Sequence, residues 1–123
     1  MNNKILQDVK KSIGINPDVE DLTFDDTIVV CINAGIAELA ELGLGNVGDF
    51  IVQNKDEQWS DYLGDNYAYL LPMVKSYICT YARLMFDPPQ SGSLADALKE
   101  QKDRLEFRIQ IAIEVNEGGQ THV

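Results

Sequence analysis

The chain has 123 residues, of which 45% are hydrophobic and 24% charged, and a formal net charge of −10. That length suits one domain with a modest core that needs neither metal nor disulfides, and the composition excludes the disordered and fibrous classes. A field of this sign repels phosphate backbones, which disfavours nucleic-acid binding through counterion release.

The acidity is regional. Residues 18 to 65 hold twelve carboxylates against the single Lys55, and the remainder is close to neutral. No apolar run approaches the roughly 20 residues of a membrane-spanning helix. Ile28 to Ile32 and Tyr67 to Val74 are both short, so no membrane association is expected. The opening Met-Asn-Asn-Lys-Ile-Leu has no apolar core followed by a cleavage site, so no export signal is expected and the protein should act in the cytoplasm where it is made. Cys31 and Cys79 have no second Cys or His at ligand spacing, which predicts free thiols rather than a zinc site or a disulfide.

In chain order, Ile5, Leu6, Val9 and Ile13 recur at helical spacing, with Asn2 or Asn3 as N-cap and Gly14 before Asn16-Pro17 as the stop. Asp25 or Thr23 can cap a second helix whose stripe is Ile28, Ile32, Ile36, Leu39 and Leu42, ending at Gly43 and Gly45. Val29, Val30 and Cys31 widen the stripe, so the front half of this helix is expected to be buried on most sides.

Residues 46 to 65 are irregular. Phe50-Ile51-Val52 fits a strand or one helical turn, and Asp56 to Leu63 fits another turn. There Trp59 and Tyr62, spaced i, i+3, share a face that packs in the core or meets a partner protein.

A third helix runs from Asn66 or Leu70 to Phe86, with Leu71, Val74, Ile78, Ala82 and Met85 on one side. Pro72 is tolerated in a first turn, which favours a start at Leu71. Asp87-Pro88-Pro89 then stops the helix and forms a rigid elbow, with Phe86 expected to be buried and Asp87 bonded to backbone or to Arg83. Ser93 with Asp96 fits a capping box for a fourth helix built on Leu94, Leu98, Leu105, Ile109 and Ala112. The opposite face, Lys99 to Arg108, is charged and reads as solvated or facing a neighbouring subunit. The fold class is therefore all-α: a small bundle of four main helices with an irregular segment between the second and third. Residues 1–115 form the domain and residues 116–123 a flexible C-terminal tail.

No catalytic constellation can be assembled from these residues. The only histidine, His122, lies in a Gly-Gly tail that cannot hold a base in fixed geometry. The acidic clusters lack calcium-loop spacing. Gly43-Leu44-Gly45-Asn46-Val47-Gly48 follows a helix, where a phosphate-binding turn needs strand before helix and glycines after the strand. The chain is expected to be no enzyme and to use no cofactor.

The stretch Arg83-Leu84-Met85-Phe86-Asp87-Pro88-Pro89, preceded by Val74-Lys75-Ser76-Tyr77-Ile78 and followed by a capped helix with Leu105-Glu106-Phe107-Arg108, resembles the head-tail connector family of long-tailed phages. The short first helix with Val9-Lys10-Lys11, the second helix started by Asp25, and Trp59-Ser60-Asp61 extend the likeness over most of the chain. Phe107, where many relatives carry Trp, and Cys79-Thr80-Tyr81-Ala82, in place of a more aliphatic run, depart from the pattern.

The resemblance implies a structural virion protein at the head-tail junction, assembled from host-cytoplasm subunits into a homo-oligomeric, dodecameric ring. Such a ring sits below the portal protein, extends the DNA channel without binding DNA specifically, and receives the stopper or tail-completion protein. It also implies a structural motif of Arg83, Phe86, Asp87, Pro88 and Pro89. The candidate partner interface is Trp59, Tyr62, Glu114, Glu117, His122 and Val123. The alternative reading of the same charge is an acidic regulatory protein or a DNA-mimicking inhibitor, which would need carboxylates at regular spacing on one face.

Overall fold

The computed structural model describes residues 4–16, 23–44 and 50–121, with side chains up to residue 116. The fold is all-α: α1 (Ile5–Ile13), α2 (Asp25–Glu41), α3 (Trp59–Leu63), α4 (Leu71–Phe86) and α5 (Gly92–Thr121), with a 3-10 turn Ala68–Leu70 leading into α4. These four longer helices and one short one form a small bundle.

Helix α4 is the hub. It packs against α1, α2 and α5, and its Val74, Tyr77, Ile78 and Ala82 are buried. The register of each pair fixes its direction. Asp8 meets Lys75 and Ser12 meets Cys79, so α1 runs parallel to α4. Tyr77 bonds Glu106 and Tyr81 lies under Lys102, so α5 runs antiparallel to it. Phe24, just before α2, packs edge-on to Phe86 at the end of α4, with centroids 5.5 Å apart, while Gly35 lies against Ile78 and Tyr81. Thus α2 is antiparallel to α4 as well. At Gly35 a Cβ would stand 3.0 Å from Ile78 Cδ1, so the missing side chain is what lets these two helices approach.

The helix ends differ from their sequence reading in instructive ways. Asn2 and Asn3 lie outside the described residues. Lys4 takes the cap position of α1, and the Ile5 N–H is satisfied by the Glu57 carbonyl at 3.0 Å. Gly14 does end α1, with φ +97° and Ile15 N–H bonded to the Lys10 carbonyl at 2.8 Å. Neither Thr23 nor Asp25 caps α2: Phe24 holds that position, and the Asp25 carboxylate turns to Lys10 instead.

Helix α4 starts at Leu71 with Pro72 in its first turn, as its chemistry requires. The cap of α5 is Ser91 rather than Ser93, since Ser91 accepts the Leu94 N–H on Oγ at 3.4 Å and the Ala95 N–H on its carbonyl at 3.0 Å. Helix α5 continues to Thr121, past Gly118-Gly119, where the sequence periodicity ends at Val115.

The stripes are correct in outline and wrong at their edges. Ile28, Cys31, Ile32, Ile36 and Leu39 of α2 are buried, but Val30 is 64% exposed, so its front half is not enclosed on most sides. Met85 is half exposed, whereas Tyr77 is fully buried. In α5 the first buried side chain is Ile109. Leu94 is exposed and Leu98 only half covered, so the front of this helix rests on α4 without entering the core.

Candidate functional site

Polar side chains inside the bundle are used to lock elements together. Asp8 on α1 accepts the Trp59 Nε1–H at 2.8 Å and pairs with Lys75 Nζ at 3.1 Å, so one carboxylate joins α1, α3 and α4. Lys10, whose side chain is 4% exposed, lies 2.8 Å from the Asp25 carboxylate. The contact is a close ion pair. Burying a lysine requires such a partner, and this pair ties α1 to the start of α2.

The irregular segment is organised in the same manner. Phe50-Ile51-Val52 is neither strand nor helix. The Val52 N–H and carbonyl bond to the Asn33 Oδ1 and Nδ2, both at 2.9 Å, so a side-chain amide replaces a neighbouring strand. Glu57 accepts the Gln53 and Asn54 N–H groups, and Gln58 with Asp61 forms a capping box on α3. Carboxylates in this acidic region thus act as acceptors for loop backbone, a role unlike that of a regular acidic row.

The titratable interior is unsuited to nucleophilic chemistry. Burial pushes the Cys31 and Cys79 thiols up, with Ser12 opposing the effect at Cys79 through a hydrogen bond. Burial likewise holds the Tyr62 and Tyr77 phenols far above their ordinary value, helped at Tyr77 by the Glu106 carboxylate that accepts its proton at 3.2 Å. His122 lies outside the described residues. Among the described residues no group of three or more His, Cys, Asp or Glu side chains is placed to hold a metal ion. A cleft of about 380 Å³ between α1, α2 and the loop, lined by Leu6, Asp25, Asp26, Val29, Asn54 and Lys55, is open.

Of the expected interface residues, Trp59, Tyr62 and Glu114 have described side chains, and these three do not share a surface. Trp59 and Tyr62 are buried, 2% and 1% exposed, so they belong to the core and cannot meet a partner. Tyr62 stacks on Phe50 at 5.1 Å between centroids. Glu114 is exposed, beyond Ile113, the last buried residue of α5 among the described side chains. The Glu117 side chain, His122 and Val123 lie outside the described residues.

The elbow motif sits between α4 and α5 as expected, yet its contacts differ. Phe86 is half-buried against Phe24 rather than enclosed, and Asp87 is bonded through its backbone N–H to the Arg83 carbonyl at 2.9 Å while its side chain is exposed. Pro88 and Pro89 span the turn.

What the sequence reading missed is on the surface. Phe107, Ile111 and Val115 of α5 are 64%, 40% and 67% exposed. Their spacing of four residues, out of phase with Leu105, Ile109 and Ala112, was the available signal.

The profile of the phage connector protein family matches residues 5–116, spanning every helix described above except the last residues of α5. No curated protein and no solved structure matches the chain.

Proposed function

The chain belongs to the phage connector protein family and is on that ground a structural connector of the virion, and we propose that it works as a ring of identical subunits at the head-tail junction. The observation that carries the reading is the extent of the family match, which takes in all of the helices but the last residues of α5 rather than one motif. Subunits made in the host cytoplasm join below the portal, most simply twelve to a ring, extend the DNA channel, and present a seat for the stopper or tail-completion protein.

Two features support this role. The interior carries polar contacts that hold elements together, as suits a subunit whose work is assembly. The surplus negative charge suits a channel wall that lets DNA pass without gripping it. Helix α5 runs on beyond Ile113 with Glu114 and Asn116 exposed, and we assign this end, including Glu117, His122 and Val123, to the portal contact.

Purified full-length protein, examined by sedimentation over a wide concentration range and by electron microscopy alone and with portal complexes, tests the reading. Closed rings with a central channel, on their own or capping the portal, are expected. A monomer at every concentration that leaves portal complexes bare would overturn the ring and favour the regulatory alternative.

A further inference from the structure

Helix α5 carries an apolar ridge that no other described element covers. Phe107, Ile111 and Val115 follow one another at four-residue spacing on the side away from Ile109, with exposures of 64%, 40% and 67%. Arg104 and Arg108 are exposed along the same ridge, and among the described residues neither is in an ion pair. Their stems add apolar cover while their heads remain free to find an acceptor.

Helix α2 presents an outward face of the opposite kind. Val30 is 64% exposed there, between Asp26 on one side and Ala37 and Glu41 on the other, with Glu38 on the rim. Helix α2 contains no lysine or arginine, and Asp26, Glu38 and Glu41 form no ion pair among the described residues. One helix thus offers bulk and positive charge, the other a shallower apolar strip with negative charge. Both faces point away from the core of their own subunit.

We propose that the α5 ridge of one copy docks on the α2 face of the next copy, with Arg104 and Arg108 reaching Asp26, Glu38 or Glu41. The inference rests on the ring reading and gives it a specific contact. Two unlike faces on one chain make a heterologous interface, which repeats from copy to copy and closes only as a ring. Pairing α5 with α5 would set Arg108 against Glu114 but would stop at two copies and leave the α2 face bare. Charge complementarity across the contact also fixes its register in a protein whose net charge otherwise drives copies apart.

Charge reversal tests the contact in full-length protein by sedimentation and electron microscopy. Arg104→Glu with Arg108→Glu should raise the concentration at half-assembly by roughly tenfold or more. Asp26→Lys with Glu41→Lys should do the same. All four changes in one chain should restore rings, as should mixing the two doubly substituted proteins. Thermal melts of each variant should stay within a few degrees of wild type, since all four side chains are exposed and only Asp26, in the first turn of α2, meets a helix end.

If wild-type protein rings and the arginine variant rings at the same concentration, this contact is wrong while the ring stands. If the arginine variant fails, the α2 variant behaves as wild type, and Glu114→Arg rescues the former, the ridge pairs with itself and the proposal falls. If wild-type protein never closes a ring, alone or on the portal, the ring reading fails first.

Discussion

Asp8, Lys10 and Tyr62 show how single side chains set the stability of this small core. Asp8 serves Trp59 and Lys75 at once, and Lys10 is buried only because Asp25 accompanies it. Replacing Lys10 with Met keeps the volume and strands the Asp25 carboxylate, which is 17% exposed. The expected loss is about 2 to 3 kcal/mol, below the value for a fully enclosed charge, and urea melts measure it. Adding Asp25→Leu should return most of that loss, because removing both charges removes the desolvation cost as well. Tyr62 points the other way. Its hydroxyl is buried with no hydrogen-bond partner among the described residues. Tyr62→Phe should therefore leave stability unchanged or raise it by about 1 kcal/mol, whereas a clear loss in the melting temperature would reveal an acceptor at that hydroxyl.

Between elements, the decisive contact is the crossing of α2 and α4 at Gly35. A Cβ there meets Ile78 Cδ1 at 3.0 Å and Tyr81 ring atoms at 3.4 Å. Gly35→Val would push branched methyls into that crossing and should destabilise by about 2 kcal/mol or more. Gly35→Ala should be near neutral, because a gain of about 1 kcal/mol in helix propensity offsets contact with the movable tip of an isoleucine. Thermal melts of the pair distinguish a close crossing from a helix that merely tolerates glycine: in the latter case both variants would stabilise. The α4–α5 pair is governed by the Asp87-Pro88-Pro89 turn, and the end beside that turn is held by little burial, since no side chain of α5 before Ile109 is enclosed. That front portion of α5 is therefore supported mainly by half-buried contacts such as Lys102 over Tyr81 at 5.9 Å and the Lys102–Glu106 ion pair at 3.3 Å.

At the scale of the whole molecule, a net charge of −10 on 123 residues opposes bringing copies together. This repulsion acts over distances comparable to the Debye length, about 10 Å at 0.1 M salt, and is screened as salt rises, while ion pairs covered by a contact are screened much less. Raising salt from about 0.03 to 0.3 M should accordingly promote self-association, shifting the sedimentation midpoint to lower concentration. A midpoint that moves the opposite way would mean that local attraction between charged faces outweighs the repulsion of the whole, and one that does not move would mean that charge plays no part in assembly.

The sequence by itself determined the helices, their approximate limits, the turn at Asp87-Pro88-Pro89 and the family, because periodicity, glycine stops and proline stops are local physics written in neighbouring residues. Ile28, Ile32, Ile36 and Leu39 announce their shared face without reference to anything else. Only the tertiary structure decided what each face meets. Asp8 and Trp59 are 51 residues apart and Asn33 and Val52 are 19 apart, and nothing local to either predicts such pairing. The same holds for caps: Asp25 has the chemistry to cap its own helix, yet a buried Lys10 claims it, since leaving that ammonium unpaired would cost more than leaving a helix end to solvent. Trp59 and Tyr62 were ambiguous between core and partner for the same reason. Their amphipathic rings suit either setting, and only the packing of α3 beneath α1 and the loop put them inside and left Phe107, Ile111 and Val115 outside.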